Sequence, residues 1–263
     1  MTEVEAPEKG ERVAKVLARA GLCSRRDAEK WIAEGRVSLR GEVLTSPAIN
    51  VTNPAELTVN GKPLPTADKT RLWRYHKPAG LVTTHRDEKG RDTVFEKLPK
   101  HLPRLISIGR LDLNSEGLLL LTNDGALARR LELPANGWLR RYKVRVNGVI
   151  DPAKLKTLEN GVTVEGISYG PIHAELERQK GDNAWLIVSL KEGRNREIRK
   201  VMAHLNLPVS RLIRVAYGPF QLGLLERGGI EEVNQRVLRE QLSQDDASKT
   251  KPTTGKADAH RRR

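Results

Sequence analysis

The chain has one cysteine, Cys23, in 263 residues. That count excludes an internal disulfide and leaves no cysteine pair for a metal, so Cys23 reads as a small buried side chain. Histidine spacing is equally uninformative: His76, His85, His101, His173, His204 and His260 never fall at His-x-x-His or His-x-x-x-His intervals, and no metal is expected. No apolar run approaches bilayer-spanning length, and the opening Met1-Thr2-Glu3-Val4-Glu5 is acidic rather than signal-like, so a cytoplasmic protein with no membrane partner is expected. No Gly-x-Gly-x-x-Gly or Gly-x-x-x-x-Gly-Lys loop is present to cradle a nucleotide cofactor. Acid is in short supply too. Against 47 Lys and Arg stand 33 Asp and Glu, a net +14 that favours a polyanionic partner, with nucleic acid the default candidate.

Residues 1–10 carry no periodicity and read as a loose leader. Val13, Val16, Leu17 and Ala20 then recur at helical spacing and stop at Gly21. Ser24 is placed to cap a second helix with an Ala28, Trp31, Ile32 stripe, which Gly35 ends. Residues 37–44 read as two short strands about a turn, and residues 57–62 add another strand and turn. This small unit, residues 11–62, is dense in cations: Arg12, Lys15, Arg19, Arg25, Arg26, Lys30, Arg36 and Arg40, opposed within it only by Asp27, Glu29 and Glu34 over residues 12–40. Charge-rich helices are ordinarily solvated faces. Here the order of helix, Gly-x-x-Ser-Arg-Arg turn, helix and Arg-Val-x-x-x-Gly strand resembles the S4 RNA-binding domain. The resemblance makes Arg12, Lys15, Arg25, Arg26, Lys30 and Arg36 RNA contacts, with Arg25 and Arg26 at a helix start the foremost for phosphate.

The prolines of Pro63-Leu64-Pro65 predict a linker over residues 63–70 that lets the small domain reorient. A second domain follows over residues 71–242. Strands are expected near 72–84, 105–108, 118–122, 142–149, 170–178, 184–190 and 209–217, and helices near 124–133, 152–159 and 195–205. Asp151-Pro152 supplies a cap and first-turn proline, and Asn160-Gly161 a stop. Paired strands with few helices argue for an α+β fold on a mainly antiparallel mixed sheet. From Ser243 to residue 263 the chain loses its apolar pattern and reads as a disordered basic tail. That tail holds six basic and three acidic residues, so most of the positive charge stays on the body.

One segment carries the chemistry. Between the strand at 105–108 and the apolar run Leu118-Leu119-Leu120-Leu121 lies Gly109-Arg110-Leu111-Asp112-Leu113-Asn114-Ser115-Glu116-Gly117, a polar loop that fixes a carboxylate between two core strands. A lone Asp in a Gly-rich turn is ordinarily a cap or the partner of a neighbour such as Arg110. This stretch, however, resembles the signature of the pseudouridine synthases, in the branch acting on bacterial ribosomal RNA. Three further segments resemble that branch's motifs in order: Tyr75-His76-Lys77-Pro78-Ala79-Gly80, Arg141-Tyr142-Lys143-Val144, and Glu192-Gly193-Arg194-Asn195-Arg196-Glu197-Ile198-Arg199-Lys200. Together they cover roughly residues 72–230.

The resemblance implies isomerisation of uridine to pseudouridine in ribosomal RNA, without a cofactor, by a monomer. It assigns catalysis to Asp112, as nucleophile at C1′ or base at C2′, and makes Tyr142 the ring that stacks on the extruded base. Arg194, before a helix capped by Asn195, is placed to pair with Asp112 and keep it ionised. Arg196, Arg199 and Lys200 are expected to hold phosphate, Arg110 and Lys77 to line the groove, and Leu190 to wall the base. Glu116 and Asp124 are weaker carboxylate candidates, Asp124 reading as a turn and helix start. Small-subunit relatives share these motifs, and Arg194 tilts the reading to the large subunit. The rival reading, a ribosome-assembly factor without turnover, would be marked by loss of Asp112, which is present. A glycosidase would need a carboxylate pair or a metal.

Overall fold

The computed structural model describes residues 10–133 and 136–249, with side chains to Ser243. The leader, apart from its last residue, and the tail beyond Lys249 lie outside the described residues. In the first unit, β1 (Glu11–Arg12) leads into α1 (Val13–Arg19) and α2 (Arg25–Ala33). Ser24 caps α2 in a reciprocal box: its Oγ accepts from Asp27 N at 3.1 Å while Asp27 Oδ2 accepts from Ser24 N at 3.2 Å. The strands β2 (Val37–Leu39), β3 (Glu42–Val43), β4 (Asn50–Val51), β5 (Leu57–Val59) and β6 (Lys62–Pro63) follow. Four of them form an antiparallel sheet in the order β3-β2-β5-β6, and β1 pairs with β4. The two helices close over Val37 and Leu57, giving this unit its own core of Val13, Leu17, Ala28 and Ile32.

The linker is shorter than the prolines suggest. Pro63 pairs with Thr58 in β6, where an edge position spares the amide it lacks, and Leu64 packs on the small core. At the other end Thr70 Oγ1 donates to Asp124 and Asn123 Nδ2 to Lys69 O. Only Pro65–Asp68 is left between these anchors.

The larger unit comprises β7 (Leu72–Lys77), β8 (Ile106–Ile108), β9 (Glu116–Thr122), α3 (Gly125–Glu132), β10 (Arg140–Asn147), α4 (Pro152–Thr157), β11 (Val162–Val164), β12 (Ile167–Tyr169), β13 (Ile172–Lys180), β14 (Asn183–Leu190), α5 (Glu197–His204), β15 (Val209–Tyr217), β16 (Phe220–Gln221), β17 (Ile230–Glu232) and α6 (Gln235–Lys249). β11 and β12 form their own hairpin, and the others build one nine-stranded sheet with a central order β13-β14-β10-β15-β9-β7-β17. Every pairing in it is antiparallel except β15 with β9, which touch only through Ile213 opposite Glu116 and Arg214 opposite Gly117. Two antiparallel half-sheets are thus joined at one short parallel contact. Gly117 permits it: at φ +102°, a Cβ there would lie 2.2 Å from Arg214 O, so any side chain would force the halves apart. β9 is buried on both faces, Leu119 and Leu121 in the main core and Leu118 and Leu120 against α3.

Two expectations are corrected here. The first strand stops at Lys77 rather than residue 84, because Pro78 and Gly80 (φ +91°) turn the chain. The tail expected from Ser243 begins as helix: α6, unforeseen, runs to Lys249, anchored by buried Leu238 and by Leu242 four residues on.

Candidate active site

The Asp112 loop is fixed by its backbone, in a way no local pattern of residues announces. Lys77, the last residue of β7, is fully buried. Its ammonium donates to the carbonyls of Pro78 (3.0 Å), Asp112 (3.1 Å), Leu113 (3.4 Å) and Ser115 (3.0 Å). Burial pushes this lysine down to about 8, with Asp112 and Glu116 pulling the other way. Lys77 therefore does not line the groove; it lies beneath the loop and gathers its carbonyls. Two more braces meet the loop from other sides. Thr83 Oγ1 donates to Leu111 O at 2.9 Å, and Gly80 N donates to Leu113 O at 2.8 Å.

Arg199 is the fourth brace, and the phosphate role expected of it is corrected. Half-buried on α5, it donates to Asn114 O at 3.0 Å and Val209 O at 3.1 Å, tying the loop to β15. Both of its terminal nitrogens are engaged by backbone, while its Nε is buried without a partner. Lys200 and Arg196, together with Arg199 itself, line an adjoining concavity of about 370 Å³.

Above the loop opens a cavity of about 500 Å³ lined by Asp112, Tyr142, Leu190, Arg194, Arg196 and Arg214, with Arg110 at its margin. Tyr142 sits in β10 directly between Val188 of β14 and Arg214 of β15, and the residue is 8% exposed. Leu190 ends β14 and is buried. Asp112 keeps 32% of its side chain exposed, as a carboxylate that must meet a ligand requires. Its nearest guanidinium is Arg196, with Nη1 4.0 Å from Oδ2. The expected Arg194 pairing is corrected: Arg194 Nε bonds Glu192 at 3.0 Å. Nor does Asn195 cap α5. Arg196 occupies the cap position in a left-handed conformation (φ 52°), while Glu197 reaches back to accept from Arg194 N at 2.9 Å. Burial raises the Glu197 carboxyl. A non-glycine residue held left-handed at a cavity rim is strain that the surrounding packing must sustain.

The other carboxylates are engaged. Glu116 is clasped by Arg211 at 2.8 Å and Arg227 at 3.1 Å, which hold it below the usual carboxylate range. Asp124 caps α3 through Ala126 N at 2.7 Å. Sequence reasoning missed the far wall, where Arg140 and Arg214 stack on Tyr217 at 4.8 Å and 5.1 Å from the ring centre. Arg214 also donates to Leu118 O at 2.7 Å, plugging the gap where the half-sheets diverge, and its Nη2 is buried without a partner. The available signal was an arginine at a core position of the alternating strand Leu212, Arg214, Ala216.

In the small domain Arg25, Arg26 and Lys30 lie exposed on α2, and Arg12 is exposed in β1. Lys15 is paired with Glu11 at 2.5 Å, and Arg36 with Glu34 at 3.1 Å while lying over the Trp31 ring, so both are partly committed within the domain. No helix of the described residues is long and apolar enough to cross a membrane.

Comparison with known proteins gives the family of both units. The RNA pseudouridylate synthase family model matches residues 71–204, and the S4 domain model matches residues 11–54. A protein of Rickettsia felis named an uncharacterized RNA pseudouridine synthase is 49% identical over 87% of this chain and 99% of its own. Proteins named ribosomal large subunit pseudouridine synthase B are 42% identical in Haemophilus influenzae, over 88% of this chain and 68% of theirs, and 41% identical in Yersinia pestis, over 90% and 77%. A crystal structure of a pseudouridylate synthase superposes with a TM-score of 0.61 at 25% identity, covering 88% of this chain and 99% of that one. With an S4 domain ahead of its catalytic sheet, this chain belongs to the RNA pseudouridine synthase family.

Proposed function

We propose that this enzyme converts a uridine of large-subunit ribosomal RNA to pseudouridine, acting as a monomer where that RNA is made and assembled. The observation that carries the reaction is a partly exposed carboxylate, Asp112, on a braced loop in a cavity whose walls include a tyrosine and a leucine. At about 500 Å³ the cavity is in the range that encloses a small ligand, here one extruded nucleotide. The large-subunit relatives support the choice of RNA.

In the isomerisation the bond from N1 of uracil to C1′ breaks and the freed base turns within the cavity. C5 then bonds C1′, the hydrogen at C5 leaves to solvent as a proton, and N1 takes up a proton in its place. No electron pair is gained or lost overall. Asp112 acts on the ribose, at C1′ or C2′, with the Arg196 guanidinium 4.0 Å from its carboxylate. Tyr142 stacks on the base and recovers part of the cost of unstacking it, while Leu190, beside it on the same face of the sheet, adds an apolar wall. Arg194, Arg110 and Lys200 meet the flanking phosphates. Arg12, Arg25, Arg26 and Lys30 of the S4 domain grip the RNA further out.

Asp112→Asn tests this reading, since the amide keeps the shape and loses the charge and basicity. With 5-tritiated ribosomal RNA, tritium release vanishes while RNA affinity and melting temperature change little. Release at the wild-type rate would remove Asp112 from the mechanism. No release from the wild type, on naked RNA and on assembling subunits alike, would favour a non-catalytic assembly factor.

A further inference from the structure

On the half-sheet β13-β14-β10-β15, α4 packs against β13 and α5 against β15, over a core that includes Val144, Val146, Leu186 and Val188. Residues of alternate parity point the other way. There Arg178 of β13 lies opposite Trp185 of β14, Trp185 opposite Arg145 of β10, and Arg145 opposite Arg211 of β15. One tryptophan thus stands in a cross-strand row with three arginines. A concavity of about 490 Å³ opens over it, lined by Arg145, Arg178, Lys180, Asn183 and Trp185.

Like charges placed directly opposite one another destabilise a sheet. Arg211 is relieved by Glu116, and Lys143, one row along, by Glu177 at 2.8 Å. Arg145 finds only the neutral amide of Asn183, at 2.8 Å. Among the described residues, no carboxylate lies within ion-pair distance of Arg145, Arg178 or Lys180. The tryptophan is not closed off either. Lys143 Nζ and Arg178 Cζ stand 5.9 Å and 6.0 Å from a Trp185 ring centre, at the outer limit of a cation–π contact.

We propose that this concavity is a second RNA-binding surface, on which a base of a single-stranded segment stacks on Trp185 while Arg145, Arg178 and Lys180 take its phosphates. A flat ring ringed by unneutralised cations matches the two components of single-strand recognition, stacking and backbone charge. The proposal rests on the RNA-modifying reading above. Trp185 lies five residues along β14 from Leu190, about 17 Å of strand from the cavity wall, and on the opposite face of the sheet. The segment it holds is therefore one that wraps the domain beside the target, not the nucleotide that enters the cavity. Because the segment is unpaired, it selects an open or loop-flanked ribosomal RNA substrate over a perfect duplex.

The test uses the full chain with two probes, a large-subunit ribosomal RNA transcript and a single-stranded RNA of roughly 16 nucleotides. The double variant Arg178→Glu, Lys180→Glu changes two exposed side chains. It is expected to weaken binding to both probes at least tenfold and to flatten the slope of log affinity against log salt by about two. Trp185→Leu is expected to weaken binding roughly five- to 100-fold with the salt slope unchanged, and Trp185→Phe to restore most of it. Turnover at saturating RNA stays at the wild-type value in all of these. Should Trp185→Leu melt early, the Phe and charge-reversal variants decide. Unchanged affinity and slope in the charge-reversal variant overturn the proposal, as does equal loss of binding to duplex RNA, or competition by polyglutamate as effective as that by RNA. A wild type that makes no pseudouridine overturns the enzymatic reading alone, because these binding measurements need no turnover.

Discussion

Replacing Lys77 by Met keeps the length and apolar stem of the side chain and removes the ammonium that gathers the catalytic loop. Four carbonyls lose a donor, but two keep another: Leu113 O still accepts from Gly80 N, and Asp112 O from Ser115 N. The cost falls mainly on the carbonyls of Pro78 and Ser115. At about 1–3 kcal/mol for each buried group left unsatisfied, less what is regained by no longer desolvating a charge, the net loss is about 3 kcal/mol. In a protein of this size that lowers the melting temperature by about 6–12 °C. The larger effect is on chemistry. A loop released from below carries Asp112 with it, and a displacement of about 1 Å at a reacting group costs roughly a hundredfold in rate. Single-turnover tritium release should therefore fall about that much while RNA affinity holds, because Lys77 is buried away from the RNA. The wild type carries a matching pH signature. Folded Lys77 gives up its proton near pH 8, whereas the unfolded chain keeps it until about 10.5. Between those values the unfolded state binds more protons, so this group adds stability as pH rises. The loop meanwhile loses a donor, so turnover falls across the window in which this contribution to stability grows. A Met variant that melts and turns over like the wild type would refute the clamp.

Gly117→Ala should be worse than any change inside the cavity. Its Cβ would meet Arg214 backbone at 2.2 Å in a strand pairing that has only two registered residue pairs, so thermal melting should show a loss above about 3 kcal/mol. Wild-type stability would mean that the half-sheets are not held by this contact. Arg196→Ala should lower single-turnover rate more than Arg194→Ala, because Arg196 is the cation nearest Asp112 and Arg194 is spent on Glu192; the reverse order would restore the pairing read from sequence. Arg25→Ala with Arg26→Ala should flatten the salt dependence of RNA binding by about one unit per lost contact, measured on the full chain. An unchanged slope would move the contact surface to α5 or to the Trp185 concavity.

The strands were legible because a period of two survives in them. Val144 and Val146 alternate with Lys143 and Arg145 in β10, and Leu212 and Arg214 with Ile213 in β15. Helix starts were legible where a side chain caps them: Ser24, Asp124 and Asp151 all accept from their own first turns. Legibility failed where tertiary packing decides. Nothing local marks β7 as ending at Lys77 beyond a proline and a glycine, and α6 needs the packing of Leu238 and Leu242 on a distant core. The single parallel register that joins the half-sheets is a long-range fact with no period of its own.

For the site, Asp112, Tyr142, Leu190, Arg194, Arg196 and Arg110, all singled out in the sequence, line one cavity, but charge misled the roles assigned to several of the cations. A lysine or arginine in sequence invites pairing with phosphate, since the sequence shows its charge and hides its burial. Three cations here are turned inward. Lys77 and Arg199 donate to loop carbonyls, and Arg214 to a strand carbonyl at the split in the sheet. Carbonyls of a loop that cannot form regular structure are the unmatched acceptors that such a fold creates, and buried cationic donors satisfy several at once. The same need explains why these inward cations cluster where the two half-sheets part. There the ladder of backbone hydrogen bonds is reduced to two residue pairs, and the cavity that holds Asp112 opens beside it.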